Sequence, residues 1–190
     1  RLNGEIKPLL DRKLWSEPAD IVVNQHNSGK PIFPFVVMTA AESHFMIAEA
    51  ITKGLASGNA QDHYQTAIRH AMQLWDVAGG DIDTYLANED MAKLNGSTDQ
   101  NLEKIATQRW MALFTNGFEA WAVVRDTGYP TELSAGVSDD DIFVLGDLNG
   151  AYPQRMRYGS GPYNTNAANV EAAASVQGPD RQGTKLWWAK

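Results

Sequence analysis

Residues 101–130, NLEKIATQRWMALFTNGFEAWAVVRDTGYP, set an amphipathic helix and a second, aromatic helix on either side of a single glycine, Gly117. Leu102, Ile105, Ala106, Trp110, Leu113 and Phe114 recur at helical spacing and predict the buried stripe of the first helix. Its start is marked by Ser97 and Gln100, the two ends of a capping box. Gly117 is expected to break this helix, after which Phe118, Trp121 and Val124 continue in a new direction as far as Gly128 and Pro130. Arg109, Glu119 and Arg125 stand beside Trp110 and Trp121. A charge-assisted bond from Arg109 to Glu119 or to a helix end is therefore expected to fix how the two helices cross.

Toward the amino terminus, Thr39-Ala40-Ala41-Glu42 is another capping box and predicts a helix from Thr39 to Lys53 that stops at Gly54. Glu42, Glu49 and Lys53 form one narrow polar stripe and leave the rest of the circumference apolar, the pattern of a helix packed on more than one side. Asn59 caps the next helix, in which Tyr64, Ala67, Ile68, Ala71, Leu74 and Trp75 follow a 3.6-residue period and Gly79-Gly80 forms the stop. The short link between the two favours an antiparallel hairpin, and Ala48, Ala67 and Ala71 let its helices approach closely. The hairpin reads as one tetratricopeptide-like unit, with no second copy in the same letters. Residues 81–96 read as a short helix and loop packed through Tyr85, Leu86 and Met91.

The flanks are less regular. Pro8, Pro18, Pro31 and Pro34 leave room only for a short helix over residues 7–15, and Phe35, Val36 and Val37 read as an extended lead-in rather than a sheet strand. Beyond Thr131, Gly, Pro, Asp, Asn and Ser signal long loops; only residues 169–176 keep helical character, and Trp187-Trp188 are the expected anchors of the tail. The expected fold class is mostly α: tetratricopeptide-like helical hairpins with a long irregular carboxy-terminal region. The expected organisation is one helical domain over residues 1–190, with a lead-in (1–38), a helical core (39–130) and a loop-rich tail packed on it (131–190).

A chain of 190 residues, 43% hydrophobic and 21% charged, is globular and long enough to bury one core. Its net charge of −7 and lack of any Lys/Arg run argue against nucleic acid and anionic membrane surfaces as partners, because affinity for phosphate comes from clustered cations. With no cysteine there is no disulfide framework, thiolate metal site or thiol nucleophile. No apolar run approaches the ~18 residues of a spanning helix. The start, RLNGEIKPLL, has neither signal-peptide character nor an initiator Met, so the chain reads as a piece of something larger.

Motifs for chemistry are sparse. His26, His44, His63 and His70 contain no H-E-x-x-H and no i, i+4 pair; His63 and His70 share a face two turns apart, too far for joint ligation without help, so surface or interhelical hydrogen bonding is expected of them. Asp139-Asp140-Asp141 and Asp147-Leu148-Asn149-Gly150 invite a calcium reading. An EF-hand register with Gly150 as the loop glycine, however, puts Leu145 at the first ligand and Met156 where glutamate is required. A solvated acidic loop is expected there, with a calcium loop of another kind as the alternative. The 23 acidic residues privilege no pair for glycoside hydrolysis, and Gly159-Ser160-Gly161 lacks the spacing of a nucleophile elbow. No catalytic residue, resident metal or cofactor is expected. Trp75, Trp110 and Trp121 lie on buried stripes and are expected in the core, whereas Trp15 and Tyr85, in loop-rich sequence, are the candidate ligand-binding aromatics; Tyr152 and Tyr158 have similar settings.

The segments TAAESHFMIAEAITKG (39–54), the helix over 64–75 and IATQRWMALFTNGFEAW (105–121) are followed by Pro153, Arg155, Tyr158, Asn166, Asn169 and a closing KLWW (185–188). In that order, over roughly residues 36–190, they resemble the carboxy-terminal part of SusD/RagB-type outer-membrane lipoproteins, in the branch known as a second SusD-like group. The resemblance implies an all-helical, tetratricopeptide-containing, non-catalytic nutrient-binding protein at the surface of Bacteroidetes-type bacteria. It further implies an amino-terminal lipid anchor outside this chain, a SusC-like TonB-dependent transporter as partner, and an oligosaccharide or peptide as ligand. Two other readings stay open: a helical-repeat adaptor for another protein, and a glycoside hydrolase built on helical hairpins.

Overall fold

The computed structural model describes residues 36–137 and 145–189. The chain divides into two compact units, Arg1–Val37 and Met38–Lys190, and the elements below belong to the second. The expected helix over residues 7–15, residues 32–35 of the extended lead-in, Trp15, His26 and Asp139-Asp140-Asp141 lie outside the described residues.

Among the described residues there are seven α-helices, a few 3₁₀ turns and no strand. Helix α1 (Ala40–Thr52) starts where the Thr39 hydroxyl accepts the amide of Glu42 at 3.1 Å. The reciprocal arm expected of Glu42 is not made: its carboxylate faces Arg109, 3.5 Å away, because a cation on a neighbouring helix outcompetes a backbone amide that water also satisfies. Gly54, at φ +73°, turns the chain out of α1 as expected. Helix α2 (Ala60–Leu74) is capped by Asn59 Oδ1, which accepts the Gln61 amide at 3.0 Å. It ends at Trp75, with Asp76 in the left-handed region, so Gly79-Gly80 are not its stop; they are the first residues of α3 (Gly79–Asn88).

Helix α4 (Thr98–Ala112) carries the full capping box, with Gln100 N–H donating to Ser97 Oγ at 3.3 Å and Ser97 N–H to Gln100 Oε1 at 2.9 Å. The break that follows is not made by Gly117. Thr115 adopts φ +78° and Asn116 Oδ1 caps α5 (Gly117–Thr127) by accepting the Glu119 amide at 3.4 Å. Gly117 is simply the first residue of α5, with open space where a Cβ would stand. Helix α5 ends at Gly128 in the left-handed conformation.

The core is built on α1, which packs against α2 and α4. Ala41, Phe45 and Ala48 meet Tyr64, Ala67 and Ile68, and Ile82, Leu86 and Ile105 close the cluster. At α1 Met46 and Ile47 stay about two-fifths exposed. Fully buried Tyr64 lies edge-on to Phe45 and holds its hydroxyl between the carbonyls of Met91 and Lys104, so a large aromatic is buried without orphaning its polar end. Burial, with Tyr85 and Asp90 nearby, pushes the Tyr64 phenol well above its usual range, so it stays a donor. A second cluster joins Ala106, Leu113 and Val123 with half-buried Trp110, Ala120 and Tyr129. Phe114, expected on the buried stripe, is 52% exposed, because α4 has already ended at Ala112 and the turn swings its ring outward.

Arg109 is anchored, but not by Glu119. Its guanidinium bridges Glu42 at 3.5 Å and Glu49 at 3.7 Å on α1, while Glu119 is exposed. The pair therefore ties α4 to α1 rather than to α5.

The tail returns to α5 through polar anchors. Trp121 Nε1 donates to the Pro153 carbonyl at 2.7 Å and Arg125 Nη1 to that of Gln154 at 2.6 Å. The Arg125 guanidinium stands 3.9 Å from the Trp121 ring centre and 4.9 Å from that of Trp188. Trp188 is thus an anchor, whereas Trp187 is 83% exposed. After α6 (Thr131–Ser134), the last helix, α7 (Ser160–Gln177), is longer than expected and kinks at Asn166 (φ −151°). Buried Arg155 pairs with Asp180 at 3.0 Å, and Asp180 also accepts from the Tyr158 amide and, at 2.7 Å, from the Tyr163 hydroxyl.

Candidate functional site

A groove of about 260 Å³ opens where the end of α2, the link that follows it, the second half of α3 and the second half of α4 converge. Trp75 enters it from the end of α2, Tyr85 from α3, and Gln108 and Met111 from α4, over a floor of Ile68, Ala71 and Met72. The left-handed Asp76 bends the chain so that α3 comes back along α2 and aims Tyr85 at the same space. Gln108 Nε2 donates to the Tyr85 hydroxyl at 2.6 Å, which leaves the phenolic proton to be offered to another acceptor and fixes the ring's tilt.

A second hollow of about 370 Å³, lined by Trp110, Met111, Leu113 and Phe114, shares Met111 with the first. The Trp75 and Phe114 rings meet edge to face at 5.4 Å. The result is an aromatic shelf with one hydroxyl–amide pair. Such a surface takes a ring that has one apolar face and a hydroxylated edge, the ring stacking while the edge hydrogen-bonds.

The larger cavity, about 550 Å³, lies between the loop after α3, the start of α4 and Pro130. Its chief cation is already engaged: Lys104 Nζ donates to Asp90 Oδ2 at 2.7 Å, to the Asp90 and Lys93 carbonyls and to Asn95 Oδ1. The hydrogen bond from Lys104, with that from Asn95, holds the Asp90 carboxyl below the usual range. None of its lining residues is aromatic. This cavity is a strut for the 90–96 loop, and the groove is the better candidate site.

Tyr85 is therefore in the groove, half-buried, and Trp15 lies outside the described residues. Trp75, expected in the core, is half-buried and forms one wall; Gln108, Met111 and Phe114 complete a site that the sequence reading did not assemble. The signal available was position: Trp75 and Phe114 stand just past the last turns of their helices, where one face of a side chain lies beyond the packed partner. Tyr152 and Tyr158 serve the tail, Tyr158 accepting from Gln177 Nε2 at 3.0 Å. Asp147, Asn149 and Gly150 form a backbone turn in which Gly150 accepts the Val137 amide at 2.8 Å. Among the described residues no three His, Asp or Glu side chains are grouped to hold a metal ion.

A SusD homologue from Bacteroides uniformis superposes with a TM-score of 0.69 at 31% identity, over 83% of this chain and 37% of that one. A chitin-binding SusD homologue from Flavobacterium johnsoniae gives 0.65 at 26% identity, over 81% and 36%. A Bacteroidetes SusD-like protein, AC2a, gives 0.75 at 25% identity, over 100% and 38%. The chain thus spans roughly a third of the length of the solved relatives it matches. No curated protein matches it. No helix among the described residues is long and apolar enough to cross a membrane. A family model described as starch-binding associating with outer membrane matches residues 12–159, most of the helical body laid out above, and the chain belongs to that family, SusD-like_2.

Proposed function

We propose that this chain carries the helical body of a non-catalytic glycan-binding protein of the bacterial outer membrane, which passes its ligand to a SusC-like TonB-dependent transporter. The observation that carries the reading is the Trp75–Tyr85–Gln108 shelf, found on a fold whose similar proteins include chitin binders. The groove is smaller than the ~300–1,000 Å³ of pockets that enclose a drug-sized ligand, so it accepts about one sugar ring at a time and gives modest affinity. Modest affinity suits release to a transporter. Its described lining offers a hydroxyl and an amide but no carboxylate, the group that glycoside hydrolysis uses in pairs, which supports binding rather than turnover. An amino-terminal lipid anchor would hold the protein at the outer membrane, the location that the family's description supports.

The test is a calorimetric screen of the chain against maltooligosaccharides, chitooligosaccharides and short peptides, with product analysis of every mixture. Saturable oligosaccharide binding without new products is expected. Product formation would make the chain a hydrolase. Silence toward all small ligands, with a tight protein partner, would make it an adaptor.

A further inference from the structure

The hairpin of α1 and α2 brings together three histidines that the sequence keeps apart. Nδ1 of His44 on α1 and Nδ1 of His63 on α2 share a hydrogen bond of 2.9 Å, in which one ring donates its Nδ1 proton to the other, with ring centres 5.1 Å apart. The His70 ring, two turns along α2, stacks on His44 at 5.7 Å rather than converging with it. Surface or interhelical hydrogen bonding was expected of His63 and His70, and His63 makes such a bond, to His44. The carboxylates of α1 are engaged elsewhere: Glu42 and Glu49 turn to Arg109 on α4.

We propose that His44 and His63 form a two-point site for a divalent transition cation of the nickel–copper–zinc group, bridging α1 and α2, the cation taking the place of the proton that the two Nδ1 atoms share while the donor ring carries its proton on Nε2 instead. Imidazole–metal bonds of ~2.0–2.1 Å place donors 2.9 Å apart at about 90° around a cation, the cis angle of a tetragonal nickel or copper centre. A tetrahedral zinc centre asks for a separation of about 3.3 Å, within reach of a small side-chain rotation. Hard cations such as calcium are disfavoured because the pair supplies no oxygen. Water completes the coordination, since no third His, Asp or Glu among the described residues joins the pair.

The test is isothermal titration of the 190-residue chain with Ni²⁺ at pH 7.5, with Ca²⁺ as control and circular dichroism to confirm that each variant is folded. One saturable Ni²⁺ site is expected, with none for Ca²⁺. His44→Gln and His63→Gln should each weaken it by on the order of tenfold or more, the least expected of losing a ligand when losing a residue behind a ligand already costs that much. His70→Gln should leave it unchanged. No Ni²⁺ binding by the parent chain, equal binding by folded His44→Gln and His63→Gln, or loss in His70→Gln would overturn the assignment.

Discussion

Replacing Arg109 by Met keeps the length and apolar stem of the side chain and removes its charge. In the structure the guanidinium lies 3.5 Å from Glu42 and 3.7 Å from Glu49, with the three side chains 16%, 10% and 18% exposed. Each pair has a gross Coulomb energy of about 4 kcal/mol at the effective dielectric of a partly covered site. Much of that is offset by desolvation, and Arg109 Nε is buried without a hydrogen-bond partner, so the net value of the bridge is well below the sum. Removing one partner of a buried pair costs about 3–5 kcal/mol; the long distances and residual exposure here reduce this to about 2–3 kcal/mol. For a chain of this size that lowers Tm by roughly 5–10 °C. Urea unfolding of Arg109→Met, Glu42→Gln, Glu119→Gln and the two double variants forms a pair of double-mutant cycles. Arg109 and Glu42 should couple by about 1 kcal/mol or more, and Arg109 and Glu119 by about zero. A loss below about 0.5 kcal/mol in Arg109→Met, or coupling to Glu119 instead, would refute the α1–α4 bridge.

Thr115→Gly should stabilise by about 1 kcal/mol, because Thr115 sits at φ +78°, and Gly117→Ala should be neutral or stabilising by up to about 1 kcal/mol; urea unfolding measures both, and a large loss in Gly117→Ala would restore Gly117 as the break. Gly150→Ala should cost about 2 kcal/mol or more, since φ is +79° and the new Cβ would lie 1.8 Å from the Val137 carbonyl oxygen; faster proteolysis near residues 136–151 would report it, and unchanged proteolysis would contradict it. The Asp180 carboxyl is held below the usual range by the Tyr163 hydroxyl, then by the Tyr158 amide and Arg155. A depressed carboxylate contributes stability above its unfolded value near pH 4, and that contribution is lost as pH falls through the lower folded value. The tail should therefore loosen below about pH 4, seen as a fall in near-ultraviolet dichroism that Asp180→Asn shows already at neutral pH; identical acid profiles for both proteins would contradict it.

The helical body was legible because its signals are local. Ser97 and Gln100, Asn59, Gly54 and Gly128 each act within a few residues of their own position, and the stripe from Phe45 to Ile105 follows from the 3.6-residue period. What failed was decided at a distance. Glu42 left its capping box for a cation 67 residues away, and no local pattern encodes that choice. The α4–α5 turn was assigned to Gly117 because glycine tolerates any backbone, whereas the structure makes a threonine take the left-handed position and lets Asn116 cap. In the tail, the Ala-rich run after Asn166 was readable, but the turn of helix before it hides among Gly, Ser and Asn. The candidate site was half legible. Tyr85 was identified as an available aromatic, but Trp75 was assigned to the core because its period fits, and only the position of α3 shows that its outer face lines a groove.

The central claim is that the shelf of Trp75 and Tyr85 holds a sugar ring. Its most direct test is titration of the best oligosaccharide from the screen into the parent chain, Trp75→Ala and Tyr85→Phe, each confirmed as folded by circular dichroism. Trp75→Ala should lose on the order of tenfold in affinity with the stacking face, and Tyr85→Phe a smaller factor with the single hydroxyl. Unchanged affinity in both folded variants would place the ligand elsewhere and contradict the account.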